Sequence, residues 1–96
     1  MDISVIVPLY NEAESLPELE SWIARVMDEH GFSYEIIFVN DGSTDESWEV
    51  IRSLREHNPA VKGVSFRRNY GKSPALNTGF RRAQGDVVIT MDADLQ

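Results

Sequence analysis

The sequence has 96 residues, no cysteine and a net charge of −7. Disulfides, thiolate chemistry and cysteine-based zinc sites are thereby excluded. The acidic balance argues against nucleic acid as a partner, because a phosphate backbone needs a basic face. A hydrophobic content of 42% against 26% charged residues is that of an ordinary folded domain with one modest core. No charged-then-apolar leader opens the sequence and no apolar run approaches the length of a membrane span, so the expectation is a cytoplasmic domain.

In chain order, the run Ile3 to Val7 is nearly continuous and rich in Val and Ile, which predicts a strand covered on both faces. Asn11 with Glu14 reads as a capping box, and Leu16, Leu19, Ile23, Val26 and Met27 then recur on one helical face. Gly31 sits where that helix should stop. A second buried strand is predicted over Tyr34 to Val39. Ser43 with Glu46 repeats the capping signature, and Trp48, Ile51 and Leu54 give a second apolar helix face. Val61 to Phe66 alternates, which suits an edge strand. Ser73 and Pro74 read as an N-cap followed by the first helical residue. Beyond them Ala75, Leu76, Gly79, Phe80 and Ala83 form a face of largely small residues that lets a helix lie close to a sheet, with Gly85 as the expected stop. Val87 to Met91 is the fourth strand.

Strand and helix thus alternate throughout, which implies an α/β fold. The expected architecture is Rossmann-like, three layers α/β/α with a four-stranded parallel sheet and right-handed crossovers. A doubly wound sheet would continue past Gln96, so the sequence is expected to be a truncated domain. The fourth strand is then expected to leave an open edge, with Val87, Val88 and Ile89, available for self-association.

Ligands of open parallel sheets bind outside the carboxyl ends of the strands, near the point where strand order reverses. Three of the four predicted strand ends carry unusual polar groups: Pro8-Leu9-Tyr10-Asn11-Glu12, Asn40-Asp41-Gly42-Ser43 and Asp92-Ala93-Asp94-Leu95-Gln96. Parallel strands bring all three to one sheet edge. Capping accounts for Asn11 and Ser43, and a first helical turn for Glu12. Asp41 sits one step too early to cap and admits both a structural and a binding reading, while Gly42 would let a ligand approach the backbone closely. Asp92 and Asp94 are close anions that repel unless a cation or proton is shared. Their oxygens, with the Gln96 amide, suit a hard ion such as Mg²⁺ or Mn²⁺ bridging to a diphosphate.

The basic residues Arg67, Arg68, Lys72, Arg81 and Arg82 cluster, and read either as a solvated face or as a phosphate site with Arg68 and Lys72 as candidate contacts. Gly71-Lys72-Ser73 is not a P-loop, because Phe66 stands where the earlier glycine is required, and no Gly-x-Gly-x-x-Gly follows the first strand. His30 and His57 fall near predicted helix C-termini, where they serve the helix dipole rather than catalysis.

Taken together, Val7-Pro8-Leu9-Tyr10-Asn11-Glu12, Val39-Asn40-Asp41-Gly42-Ser43-Thr44-Asp45, Arg68-Asn69-Tyr70-Gly71-Lys72 with Ala75 and Gly79, and Asp92-Ala93-Asp94-Leu95-Gln96 resemble the family 2 glycosyltransferases of GT-A fold. The ending is most similar to dolichyl-phosphate mannosyltransferases and bacterial polyprenyl-phosphate glycosyltransferases. The resemblance implies the N-terminal, nucleotide-binding half of a GT-A fold. Its implied partners are a nucleotide-diphosphate sugar donor and a polyprenyl phosphate acceptor, with an inverting transfer at the cytoplasmic face of a membrane in the parent enzyme. It also implies roles: Pro8, Tyr10 and Glu12 hold the nucleoside, Asp41 hydrogen-bonds the base, Asp92 contacts the ribose side, and Asp94 with Gln96 holds Mg²⁺ or Mn²⁺. The family's general base lies outside this sequence, so the 96 residues alone are expected to be inactive.

The alternatives are a non-catalytic nucleotide-binding or regulatory α/β module and a phosphatase-like Asp-x-Asp enzyme. A receiver-like module wants its acid after the third strand, where Phe66-Arg67-Arg68 stands. A phosphatase wants its Asp pair after the first strand.

Overall fold

The computed structural model describes residues 1–94. Its elements are β1 (Ile3–Leu9), α1 (Leu16–His30), β2 (Tyr34–Asn40), α2 (Ser47–His57), β3 (Val61–Ser65), α3 (Lys72–Arg82) and β4 (Val87–Thr90). All strand pairings are parallel and the order is β3-β2-β1-β4. The chain steps outward from β1 to β3, then returns to the far side of β1. Strand order therefore reverses between β1 and β4, which is where an open α/β sheet forms its crevice.

The near-continuous apolar strands are explained by cover on both faces. On one face Val5, Val7, Ile36 and Phe38 meet Leu16, Leu19, Ile23 and Met27 of α1 and Ile51 of α2. On the other, Ile6, Ile37 and Val39 meet Ala75 of α3. The result is the expected three layers, with α3 alone on its side among the described residues. The small face of α3 sets how close it comes: a Cβ on Gly79 would stand 2.4 Å from Cγ2 of Ile6. β3 is an edge, as its alternation suggests, and β4 is the other, with Val87, Val88 and Ile89 exposed.

The helix starts differ from the sequence-based expectation. Neither Asn11 nor Ser43 caps a helix: α1 begins at Leu16 after Ser15, and α2 at Ser47 after Glu46. Each supposed box lies too early, because the first buried turn comes later and the intervening residues bond across to the neighbouring loop. α3 begins at Lys72 with Gly71 at the N-cap, two residues ahead of the Ser73-Pro74 expectation. At the C-termini, Gly31 is a left-handed cap as expected. Gly85 is not, since α3 already ends at Arg82 with Ala83 extended. Gly85 is instead pressed on the backbone of β1, where a Cβ would lie 2.5 Å from the Ser4 nitrogen.

At the edge opposite the strand ends that carry the motifs, one buried carboxylate organises the start of the sheet. Glu35 has no solvent exposure, and its Oε2 accepts from the Ser4 hydroxyl at 2.5 Å and from the Gln84 N–H at 2.7 Å. Its Oε1 pairs with Lys62 Nζ at 2.6 Å. The Ser4 hydroxyl oxygen in turn accepts the Gly85 N–H at 2.8 Å. β1, β2, β3 and the entry to β4 are thus tied through one side chain. Burial pushes the Glu35 carboxyl up, but Lys62, Ser4 and Gln84 together outweigh it and hold the group below the ordinary glutamate range.

The sign follows from linkage. The depressed folded-state value means that the unfolded chain takes up the proton first, so the contribution is complete above the ordinary carboxylate range and is lost as pH falls through the folded value. Glu35→Gln is expected to cost about 1–3 kcal/mol near neutral pH, as a buried charge-assisted network loses an acceptor. Urea titrations across pH should show this gap between wild type and variant closing on acidification. A gap constant with pH would contradict the charged state assigned to Glu35.

Candidate functional site

The β1–α1 and β2–α2 loops are laced together. Asn11 adopts a positive φ of 54°, which asparagine tolerates better than most residues. Its side-chain oxygen accepts the N–H groups of Thr44 at 2.8 Å and Asp45 at 3.2 Å, and its own N–H donates to the Ser43 hydroxyl at 2.9 Å. Asp45 Oδ1 accepts both the N–H and the hydroxyl of Ser47, at 2.9 and 2.6 Å. Slight burial opposes the charge on Asp45, yet these bonds and one from the Ala13 N–H hold its carboxyl below the ordinary aspartate range. The Glu12 N–H donates to the Ser47 hydroxyl at 3.1 Å, which makes Glu12 part of this lacing.

Asp41 joins the second loop to the third. It is buried at 5% exposure, and its two oxygens accept the N–H groups of Tyr70 at 2.8 Å and Gly71 at 3.0 Å. Gly42 makes this contact sterically feasible. With φ at 73°, a Cβ there would stand 2.1 Å from the Arg68 carbonyl carbon. The close approach expected of a ligand at Gly42 is therefore taken by the chain's own backbone at Arg68 and Asn69. Asp41 fixes the segment that launches α3, and so places Lys72. A carboxylate offers about four acceptor sites in its two oxygens, so two bonds do not exhaust Asp41.

Around these groups lies a cavity of about 250 Å³ lined by Pro8, Leu9, Tyr10, Asp41, Asn69, Gly71, Lys72 and Asp92. It opens at the β1–β4 reversal. A smaller space of about 140 Å³ adjoins it, lined by Pro8, Lys72, Leu76, Thr90, Met91 and Asp92. A larger one of about 720 Å³ runs between α1 and the segment after β4, with Trp22, Arg25, Asp92 and Asp94 in its wall. Asp92 borders all three.

Electrostatically, α3 departs from the other helices. α1 and α2 carry Glu18 and Glu49 in their first turns, whereas α3 has no acid there and begins with Lys72. A cation at a helix N-terminus opposes the dipole. Here Asp92, from across the sheet edge, supplies the compensating charge, with Lys72 Nζ 3.1 Å from its Oδ1. Arg68 instead lies over the Tyr70 ring, its Cζ 4.8 Å from the centroid, and Phe66 meets the same ring edge-on at 5.6 Å.

The expected residues therefore divide. Pro8, Tyr10, Asp41, Lys72 and Asp92 meet around one cavity. Glu12 and Arg68 do not line it, being engaged in the loop lacing and on Tyr70. Asp94 shares the larger cavity with Asp92, and Gln96 lies outside the described residues. Sequence reasoning missed Asn69 and Gly71 as cavity walls, and Asn11, Asp45 and Ser47 as a bridge. The one available signal was distance: five positions separate Asn11 from Leu16 and Ser43 from Trp48, too many for a cap directly before its helix.

The donor chemistry of Asp92 and Asp94 fits a hard divalent ion. Both residues line one cavity, and Ala93 between them is anchored in the core at 4% exposure. Among the described residues no group of three acidic, histidine or cysteine side chains could hold a metal. Mg²⁺ usually takes one or two carboxylates and completes its shell with phosphates and water, so a pair of carboxylates is a sufficient protein share for such an ion.

Comparison with known proteins decides the family. The model described as Glycosyl transferase family 2 matches residues 4–96. The chain belongs to glycosyl transferase family 2. Among curated relatives, the bactoprenol glucosyl transferase of Shigella phage SfV is 42% identical over 96 residues, covering 100% of this chain and 31% of that protein. The undecaprenyl-phosphate 4-deoxy-4-formamido-L-arabinose transferase of Aeromonas hydrophila is 45% identical over 95 residues, covering 98% of this chain and 29% of that protein. The chain thus spans less than a third of these family 2 relatives. Among solved structures, S. aureus TarS 1-349 in complex with UDP superposes with a TM-score of 0.82 at 28% identity, over 98% of this chain and 28% of the TarS 1-349 chain. The mannosyltransferase PcManGT from Pyrobaculum calidifontis, in complex with GDP-Man and Mn²⁺, gives 0.73 at 33%, over 96% and 27%. The α/β/α architecture is that of the GT-A glycosyltransferases.

Asp41→Asn places an amide NH₂ against a backbone N–H where an oxygen now accepts. It is expected to lower stability by about 1–3 kcal/mol, the cost of a buried donor left unsatisfied. Urea denaturation measures it. An unchanged midpoint would mean that the Asp41 bonds to Tyr70 and Gly71 do not hold the loop.

Proposed function

We propose that this chain is the donor-binding part of an inverting glycosyltransferase that moves a sugar from a nucleoside diphosphate to a polyprenyl phosphate. One observation carries the reading: Asp41 after β2, Lys72 at the start of α3 and Asp92 after β4 converge on one cavity at the β1–β4 reversal. The curated relatives act on bactoprenol and undecaprenyl phosphate by name, and two structural neighbours hold UDP and GDP-Man. Among the described residues no helix is long and apolar enough to cross a membrane. A site for such an acceptor at the cytoplasmic face of a membrane belongs to this proposal.

Within it, Pro8 and Tyr10 wall the nucleoside, with Tyr10 offering a half-exposed ring for the base. Asp41 accepts a base N–H on a lone pair that Tyr70 and Gly71 leave open. Glu12 acts at one remove, through the lacing that fixes the first loop. Asp92 takes the ribose side, and Asp92 and Asp94, with Gln96, would hold Mg²⁺ or Mn²⁺. The ion's chemistry there is Lewis acidity toward the leaving diphosphate. Lys72 contributes a positive charge near the same oxygens, and Arg68, stacked on Tyr70 at the rim, is within the basic segment that meets an acceptor phosphate. In the transfer, an acceptor phosphate oxygen bonds to the anomeric carbon from the side opposite the diphosphate. The diphosphate leaves with the electron pair of the broken C–O bond, and configuration inverts. A phosphate nucleophile is already ionised and asks little of a general base.

Calorimetric titration with UDP and with GDP, in Mg²⁺ or Mn²⁺ and again in excess chelator, tests the reading. Binding of at least one nucleotide that weakens tenfold or more in chelator is expected, since an ion held by Asp92 and Asp94 would add to the attraction for the diphosphate. Equal affinity in both conditions would remove the ion from the site. No binding of either would remove the donor site.

A further inference from the structure

We propose that Lys72 is a built-in counter-ion for Asp92 which a divalent cation must displace, and that the freed ammonium then engages the donor's diphosphate. The inference rests on the metal-assisted donor site described above, and goes beyond it by making Lys72 and the ion rivals for one carboxylate.

The geometry supplies the rivalry. Lys72 Nζ lies 3.1 Å from Asp92 Oδ1, on the carboxylate that also borders every cavity of the site. A hard ion bound to that carboxylate and an ammonium at the same oxygen repel each other and contend for the same lone pairs. The pair is also weak enough to part. Its side chains are 65% and 69% exposed, and exposed ion pairs are held by little more than thermal energy. The lysine stem is flexible, with a compact charge at its tip, so the ammonium can move while the helix stays fixed. Its Cα cannot follow, because Asp41 grips Gly71 immediately before it.

There is also somewhere for the charge to go. Lys72 lines the 250 Å³ and 140 Å³ spaces beside Pro8, so a diphosphate entering at the β1–β4 reversal meets the ammonium and the N-terminal end of α3 together. A lysine opening a helix with no acid in its first turn is unfavourable unless an anion faces it. Asp92 is that anion, 3.1 Å from the ammonium, and a diphosphate would replace it. The two events are then coupled: an ion at Asp92 frees Lys72 for the diphosphate, and by reciprocity a diphosphate that draws Lys72 away raises the affinity for the ion.

The test is Mn²⁺ titration of the whole chain, followed by calorimetry and by loss of the free Mn²⁺ resonance signal, with and without UDP or GDP. Wild type is compared with Lys72→Met and with Arg81→Met, which removes one positive charge from the far end of the same helix. Lys72 is exposed, so circular dichroism should find Lys72→Met folded. In the absence of nucleotide, Lys72→Met is expected to bind Mn²⁺ about two- to fivefold more tightly, the release of a weak exposed pair. With Mn²⁺ present it is expected to bind the nucleotide more weakly than wild type does, and Arg81→Met to change neither. An unchanged or lowered Mn²⁺ affinity in Lys72→Met overturns the proposal, as does an equal gain in Arg81→Met. Wild type that takes up no Mn²⁺ even with nucleotide would instead overturn the donor-site reading, and this proposal with it.

Discussion

The Asp41 carboxylate is where the sheet and the loops become one structure. It stands at the tip of β2, buried, and holds two successive N–H groups of the segment that opens α3. Those donors belong to an irregular backbone outside any strand or helix, and the buried carboxylate that accepts them would be costly to leave without partners. Gly42 completes the joint by removing the side chain that would keep the two backbones apart. From this joint the rest of the site follows. Lys72 is aimed at Asp92, Tyr70 is held for Arg68 and Phe66, and the cavity acquires its floor.

A second joint balances it at the opposite edge. Glu35 collects Ser4, Lys62 and Gln84, and so sets where β4 enters the sheet. β4 then runs only from Val87 to Thr90 before the chain reaches Asp92, paired with β1 from Ile3↔Val87 to Ile6↔Thr90. A slip of one residue in that pairing would turn Asp92 and Asp94 to the other face of the sheet. Two buried carboxylates, each satisfied by hydrogen bonds, thus fix the two ends of the unit that carries the Asp-Ala-Asp turn.

Much of this was legible in the sequence because its causes are local or periodic. The four apolar runs, the spacing of Leu16, Leu19, Ile23 and Met27, and the small residues Ala75 and Gly79 state directly what is buried and how closely helices approach. From alternation alone the parallel sheet follows, and from the parallel sheet the convergence of three polar clusters on one edge. The specific hydrogen bonds to partners distant in sequence were not legible. Asn11 and Ser43 have the side chains of helix caps, but their bonds run to each other's loop, some 32 residues away. Glu35 looks like a polar interruption in a strand and gives no sign of the Ser4 and Gln84 contacts that justify its burial. Asp41 admits two readings from sequence, and the structure gives the structural one specific bonds while two bonds leave acceptor sites for the other.

The central claim is that the carboxyl-terminal edge of the sheet, at the β1–β4 reversal, is the place where a nucleotide binds. Backbone amide chemical-shift mapping during titration with UDP or GDP in the presence of Mg²⁺ tests it most directly. The account predicts shifts concentrated at Tyr10, Asp41, Tyr70, Gly71, Lys72 and Asp92, with Glu35, Gln84 and Gly85 at the opposite edge unmoved. Shifts centred on Glu35 and Gln84, or spread without preference over both edges, would contradict it.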